Sequence, residues 1–351
     1  MKKTLIAFAV LSASAATASA QSYVTVYGSI DAGIRNVTNV NAAGDSKLAM
    51  GGATPGATGN GISNSNRLGF KGQEDLGGGM NAHFVLESGF NTGTGTLDSA
   101  AMFNRSAFVG VTGEFGNIDL GRQYSLAFKT IGTYEPFNFK FPSVTSPVAG
   151  VALFYPAAAT RFNNDIQYTA ILSGVKVSAE YSLGEQAGDM RKNSVKSVAA
   201  TYATGPLNFG GTYMSGDNNG FGNKYYTVGG AYKEAGVRVS FGYVKEIQET
   251  LSKVDSEQKS YWGGVSYAIS PQVELTGAYY VTKATVAKID SDRKNLVLAA
   301  TYSLSKRTNF YVEADNRKLT NALTALPLTL SSGSINTGTQ NGLSIGIMHL
   351  F

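Results

Sequence analysis

The chain has no cysteine, two histidines, one tryptophan and only eight prolines in 351 residues. Without cysteine there is no disulfide framework and no thiolate to bind zinc or attack a substrate. Stability must come from backbone pairing and apolar burial. His83 and His349 lie far apart in the sequence, which argues against a metal centre or a histidine-based catalytic site. After the first twenty residues no run approaches eighteen apolar positions, so no transmembrane helix is predicted. Charge is also scarce, with Asp, Glu, Lys and Arg making up 15% of the chain. Setting aside Lys2 and Lys3, 27 basic residues stand against 24 acidic ones. That excess is too small and too scattered to argue for nucleic-acid binding.

What is present points outward from the cell. Lys2 and Lys3, the apolar stretch Leu5 to Leu11 and the small-residue site Ala18-Ser19-Ala20 form a secretory signal over residues 1–20. The mature chain is expected to run from 21 to 351 as a single domain, because no linker interrupts its pattern. Glycine reaches 42 residues, and Tyr and Phe together 37, a composition suited to many strands and turns. The mean hydropathy of −0.07 resembles that of a soluble protein. A transmembrane barrel gives the same average, since lipid-facing and lumen-facing residues alternate and cancel.

The alternation is explicit. Val24, Val26, Gly28 and Ile30 share one face, and Thr25, Tyr27, Ser29 and Asp31 the other. Arg67 and Lys71 oppose Leu68 and Phe70. Between 82 and 90, His83, Val85 and Glu87 oppose Ala82, Phe84 and Leu86. Short turns, such as Leu76-Gly-Gly-Gly79 and Lys233-Glu-Ala-Gly236, alternate with long polar loops, such as 184–193 and 318–339. A polar stretch from Asn36 to Ser65 reads as another such loop. Short turns at one end and long loops at the other define an up-and-down antiparallel barrel of about sixteen strands of roughly ten residues, the span a tilted strand needs to cross a bilayer. The terminal segment Leu343 to Phe351 must then pair with the first, leaving no open edge. Aromatic residues including Tyr202, Phe209, Tyr213, Tyr232, Phe241, Tyr267, Tyr280, Tyr302 and Phe310 are expected outside, as interfacial girdles.

One stretch breaks the rhythm. Between Tyr124 and Arg161 about thirty-five residues pass without an antiparallel return, and a loop that long inside a compact domain is usually functional. It is expected to fold into the lumen over about 125–160.

Four patches carry a family resemblance: VTVYGSIDAG (24–33), RLGFKGQEDLGGGMNAHFVLE (67–87), RSAFVGVTGEFGNIDLGRQ (105–123) and the terminal HLF (349–351). In this order they resemble the general porins of Gram-negative outer membranes, of the β-proteobacterial type. The resemblance implies a homotrimer of sixteen-stranded barrels in the outer membrane, surrounded by membrane lipid and lipopolysaccharide. It implies a third loop folded inward and a terminal Phe351 read by the barrel-assembly machinery. Small hydrophilic solutes and inorganic anions would diffuse through, with no cofactor and no catalytic residue. It also implies a basic ladder on the wall facing acidic groups on the loop. Arg67, Arg105 and Arg161 match the wall positions, and Lys71 shares the face of Arg67. For Arg161 that face also holds Asn163, Asp165 and Gln167.

On the loop the only carboxylate is Glu135, accompanied by Lys129 and Lys140. Glu135 is expected to face the arginines across a constriction of positive balance, which favours anions moderately. A lone arginine on a polar strand face is ordinarily just solvated, so each assignment leans on the family pattern. Arg122, in phase with Ile118 and Leu120, is expected to face away from the lumen. The loop aromatics Phe128, Tyr134, Phe137, Phe139, Phe141, Phe154 and Tyr155 leave a narrower reading open, a substrate-specific channel. An outer-membrane barrel enzyme or a secreted adhesin is less consistent with the histidine positions and the terminal Phe.

Overall fold

The computed structural model describes residues 22–41, 43–51, 61–144, 160–249, 256–286, 289–320 and 338–351. The expected signal segment 1–20 and loop residues 145–159 lie outside them. One antiparallel sheet holds seventeen strands. The first half comprises β1 (Tyr23–Val37), β2 (Lys47–Met50), β3 (Arg67–Gly77), β4 (Met80–Gly89), β5 (Ser106–Gly113), β6 (Gly116–Tyr124), β7 (Arg161–Leu172) and β8 (Val175–Ser182). The second comprises β9 (Val195–Thr204), β10 (Leu207–Asn218), β11 (Phe221–Glu234), β12 (Val237–Gln248), β13 (Ser256–Ala268), β14 (Val273–Val286), β15 (Ile289–Ser303), β16 (Thr308–Leu319) and β17 (Thr339–Leu350). A single turn and a half of helix, α1 (Leu126–Ile131), follows β6.

The four-residue β2 is an addition to the barrel, which leaves sixteen wall strands. It lies inside the stretch read from sequence as a plain loop. The reason is an exposed edge: β3 pairs with β1 only as far as Ser29, opposite Arg67, while β1 continues to Val37. β2 takes up that free ladder from Ile34 to Val37, which removes unpaired backbone groups. On its other side β1 pairs with β17 from Ser29↔Leu350 to Val37↔Gly342, so the sheet closes on itself.

Alternation decides which residues face where. Outward positions such as Val24, Val26, Ile30, Ile34, Val109, Leu120, Ile345 and Ile347 are exposed large apolar side chains. In water they would be a liability; around a barrel in hydrocarbon they are the solvent-matched surface. Among the described residues no helix is long and apolar enough to cross a membrane, so crossing falls to the strands. Most of the expected girdle aromatics face outward, with Tyr202, Phe209, Tyr232, Phe241, Tyr267, Tyr302 and Phe310 all exposed. Tyr280 does not. It is 1% exposed and points inward, while its neighbour Tyr279 takes the outer face. Two adjacent strand residues cannot share a face, and the β13–β14 register pairs Tyr279 with Gly263 and Tyr280 with Trp262, so Tyr280 shares the inward face of buried Trp262.

The buried apolar cluster sits inside the barrel, between the loop after β6 and the wall. Ile131, Tyr134, Phe137, Phe141 and Val144 of the loop pack with Met214, Tyr225, Trp262, Tyr280 and Tyr311 of the wall strands.

The closing seam is held by a reciprocal backbone pair: the Gly28 N–H donates to the Phe351 carbonyl at 3.1 Å, and the Phe351 N–H to the Gly28 carbonyl at 3.2 Å. The Phe351 ring lies over Gly28, where a β-carbon would collide with both the ring and the Arg67 carbonyl. Glycine is required there by close approach. Gly28→Ala is expected to destabilise the closed barrel by about 1–3 kcal/mol, the usual range for overpacking. Its effect should be less than additive with Phe351→Ala, because that substitution removes one of the two clashes. Unfolding midpoints of the two single variants and the pair test this; strict additivity would show that the ring and Gly28 are uncoupled.

Candidate functional site

Arg67 opens β3, Arg105 immediately precedes β5 and Arg161 opens β7. All three therefore stand at the long-loop end of alternate strands that descend from it. Two side chains gather them. The Tyr124 hydroxyl accepts from Arg105 Nη2 and from Arg161 Nη2, each at 2.6 Å. The Arg161 guanidinium also lies over the Tyr124 ring, 4.1 Å from its centre, a cation–π geometry. Glu87 Oε1 accepts from Arg105 Nε at 2.6 Å and lies 4.0 Å from Arg67 Nη1. Its other oxygen accepts from the Tyr27 hydroxyl at 3.0 Å, and Lys71 Nζ sits 5.4 Å from the centre of the Tyr27 ring.

The array is continuous but not uniform in charge. Arg105 and Glu87 are both buried and neutralise one another. Arg67 is half-buried and Lys71 exposed to the lumen, and among the described residues the 4.0 Å contact of Arg67 to Glu87 is their one approach to a carboxylate. Arg161 is half-buried, and among the described residues its side-chain hydrogen bond is to Tyr124. Positive charge therefore remains at the water-facing side of this wall.

The expected alternation of Arg161 with Asn163, Asp165 and Gln167 breaks at Asn164, whose φ is 50°. Phe162, Asp165 and Gln167 are buried and Asn163 is exposed, and the β6–β7 ladder shifts between Gly121 and Gln123. A left-handed residue in a strand adds one position and flips the parity beyond it. Arg161 reaches the array through its pairing with Tyr124, not through the face it was read to share. Arg122 leaves the lumen: Nη1 donates to exposed Asn163 and Nε to the Asn104 carbonyl.

The loop follows the opposite side of the lumen. Ser125 caps α1, its hydroxyl accepting from the Phe128 N–H at 3.2 Å. Thr130 bonds Thr212 of β10 at 2.9 Å. The Tyr134 hydroxyl bonds Thr227 of β11 at 2.7 Å, and its ring occupies the space a β-carbon on Gly229 would need. Arg238 of β12 donates to the carbonyls of Thr133, Glu135 and Pro136 at 3.0–3.2 Å. Further on, the Ser143 hydroxyl donates to Glu313 of β16 at 2.6 Å and its carbonyl accepts from Asn295 of β15 at 2.8 Å. Residues 125–144 thus line the wall from β8 to β16 and leave the arginines facing them.

Glu135 does not face the arginines. It is fully buried. One oxygen accepts from the N–H groups of Phe137 and Phe139 at 2.8 and 2.7 Å, and the other from the Tyr280 hydroxyl at 2.5 Å. It closes a turn in which Asn138, Phe139 and Phe141 all have positive φ, a conformation costly for bulky residues and held by surrounding bonds. The carboxylate is thus a clamp for the loop and lends no charge to the aperture. Lys129 is also displaced from the expected ring. Its ammonium donates to Gln167 at 2.5 Å and Gln123 at 3.3 Å, beside a cavity of about 310 Å³ shared with Asp119, Lys176 and Ser178 on the short-turn side of the loop. Lys140 is half-buried in the same turn as Phe139.

The loop aromatics divide by role. Tyr134, Phe137 and Phe141 pack into the wall. Phe128 stacks on Tyr124 at 4.8 Å and on Phe139 at 4.2 Å, which extends the Arg161–Tyr124 stack towards the loop. Phe154 and Tyr155 lie outside the described residues.

Sequence reasoning missed Glu87 and Tyr124 as organisers of the arginines, although Glu87 already stood on the polar face with His83. It also missed Arg35, whose guanidinium pairs with Glu313 at 2.7 Å and Asp315 at 2.6 Å. Arg35 is in phase with Asp31, the one signal that could have found it. This second cluster is buried and sets one guanidinium against two carboxylates. His83 is bonded to Asp119 at 2.8 Å, and among the described residues no group of three or more His, Cys, Asp and Glu could hold a metal ion.

A profile of the Gram-negative porin family matches residues 7–322. Outer membrane porin protein 32 of Delftia acidovorans is 32% identical over the full length of both chains. An outer membrane porin protein of Bordetella pertussis is 30% identical, over 89% of this chain and 93% of that one. Among solved structures, the anion-selective porin from Comamonas acidovorans superposes with a TM-score of 0.80 at 24% identity, covering 94% of this chain and all of that one.

Burial of Glu135 raises its carboxyl to about 7, against the pull of its three donors and of Arg238. Because the acid binds its proton more tightly folded than unfolded, stability is greatest below the unfolded value and falls as pH rises through 7. Loop docking is expected to weaken by roughly 1–3 kcal/mol between pH 5 and pH 8. Glu135→Gln keeps an acceptor for the two N–H groups and should abolish that difference while stabilising the protein at pH 8. Thermal midpoints of both proteins at the two pH values decide it; an unchanged slope in the variant would assign the effect to another group.

Proposed function

The chain belongs to the Gram-negative porin family, and we propose that its pore passes small hydrophilic solutes by passive diffusion with a moderate preference for anions. As a family member it is an outer-membrane channel and not an enzyme. The preference is carried by one observation. Arg67, Arg161 and Lys71 converge on one wall with Arg105, whose charge alone is neutralised by a tight bond to Glu87, while Glu135 is buried against the other wall. Positive groups lining a narrow aqueous passage raise the local concentration of anions and disfavour cations.

Tyr124 has a particular part in this reading. By accepting from two guanidinium groups it holds like charges close together, which free side chains would avoid. The stack from Arg161 through Tyr124 and Phe128 to Phe139 fixes the basic side of the aperture relative to the loop. Rigid placement suits passive sorting by charge and size. The anion preference named for the Comamonas acidovorans porin agrees with it. The homotrimer implied by the family resemblance belongs to the same reading, as do the barrel-assembly machinery that would read Phe351 and a loop that continues through residues 145–159.

The test is the reversal potential of the purified protein in a planar bilayer under a KCl gradient. Wild type is expected to give an anion-selective potential. Arg67→Ala/Arg105→Ala/Arg161→Ala should move it towards cation preference, since Glu87 then keeps the neutral Tyr27 hydroxyl but loses the Arg105 and Arg67 guanidinium groups. Conductance with unchanged selectivity would remove the basic wall from the constriction, and no conductance from folded protein would remove the channel.

A further inference from the structure

Inside the barrel, the loop after β6 uses its aromatic side chains in two ways. Tyr134, Phe137 and Phe141 are buried against the wall. Phe128 and Phe139 are only half-buried, as is Tyr124 at the end of β6. Phe139 touches the buried cluster on one side, but surface left open on a loop inside a barrel is lumen surface. The backbone imposes this division. Asn138, Phe139 and Phe141 have φ of 52°, 59° and 70°, a conformation that is costly for a ring-bearing residue and persists only where other bonds enforce it. Glu135 enforces it by accepting from the N–H groups of Phe137 and Phe139. Phe137 and Phe141 turn into the wall, while Phe139 between them swings back over Phe128.

The half-buried rings form one column. Tyr124 and Phe128 lie 4.8 Å apart with planes 12° from parallel, and Phe128 and Phe139 lie 4.2 Å apart with planes 13° from parallel. Rings stacked in this way turn their electron-rich faces to each other and their edges outward, and the edge carries the positive end of the ring quadrupole. The column starts at the Arg161 guanidinium, 4.1 Å from the centre of the Tyr124 ring. Arg161 is joined through Tyr124 to Arg105, and Arg105 through Glu87 to Arg67. An apolar strip with weakly positive edges therefore runs directly out of a group of cations.

A chloride ion would use the cations and gain nothing from the strip. From this we infer that the aperture holds a selective site for small aromatic carboxylates. The carboxylate meets the guanidinium groups of Arg67 and Arg161, and the solute's ring lays its face against the edges of Phe128 and Phe139. Guanidinium forks match the two oxygens of a carboxylate. A ring face against ring edges is the T-shaped contact that aromatic pairs prefer. A saturated ring of the same size has no electron-rich face to offer, and a neutral aromatic has nothing for the cations to hold, so the two halves of the site select one class of solute together. The inference rests on the arginine wall lining an anion-preferring aperture, as proposed above, and adds a solute class to it.

The purified protein in a planar bilayer is first placed under a KCl gradient for its reversal potential. It is then titrated in symmetric KCl with benzoate, cyclohexanecarboxylate or benzyl alcohol while the current is followed. Benzoate is expected to halve the current at a concentration about three- to tenfold lower than cyclohexanecarboxylate does. The sign of the difference is diagnostic, because the saturated acid buries at least as much apolar surface and a merely apolar strip would hold it as well or better. Benzyl alcohol, which has no charge, should leave the current unblocked over the same range. Phe128→Leu/Phe139→Leu should bring the ratio of the two acids to about one. Both acids enter the same pore, so a change in its width or field cancels from that ratio. An anion-selective wild-type pore that both acids block equally, or that benzyl alcohol blocks as benzoate does, overturns this inference alone, whether or not the variant folds. A folded double variant that keeps the benzoate preference removes the rings from the site and overturns it likewise. A cation-selective wild-type pore overturns the underlying reading and this inference with it.

Discussion

Everything in this protein follows from the demand that no backbone N–H or C=O be left unpaired in hydrocarbon. A strand can meet that demand only by pairing on both sides, so the sheet must close. Closure brings β1 and β17 together, places Phe351 over Gly28, and recruits the short β2 to the one stretch where β1 outruns β3. Because the wall is closed, it encloses a space, and the period of two along each strand makes that space polar and the outside apolar. The channel is a geometric consequence of satisfying hydrogen bonds.

Residues 125–144, after β6, occupy part of the enclosed space and pack against the wall. The loop is fixed by polar groups whose partners are all on the wall: Arg238 to three loop carbonyls, Tyr134 to Thr227, Ser143 to Glu313. Each is a polar contact that would be expensive to leave unmatched, so residues 125–144 are held in one position. Glu135 completes the clamp, stabilising left-handed residues that would not otherwise persist. Its carboxylate is spent on structure, and the carboxylate that answers Arg105 is Glu87, on the arginines' own wall.

A good deal of this was legible in the chain. Strand alternation, short turns at one end and long loops at the other determined an antiparallel barrel of about sixteen strands, because parity is a local property. The unbroken stretch after Tyr124 marked the loop, and the polar phase of Arg67 and Lys71 marked their faces. What the chain could not express was anything that depends on register or on distant partners. Asn164 flips the phase around Arg161, Tyr280 turns inward while Tyr279 turns out, and Glu135, which reads as an exposed acid, is buried because Tyr280 and two loop N–H groups converge on it. Alternation states that neighbours face opposite ways; only the closed tertiary structure decides which of them faces the water.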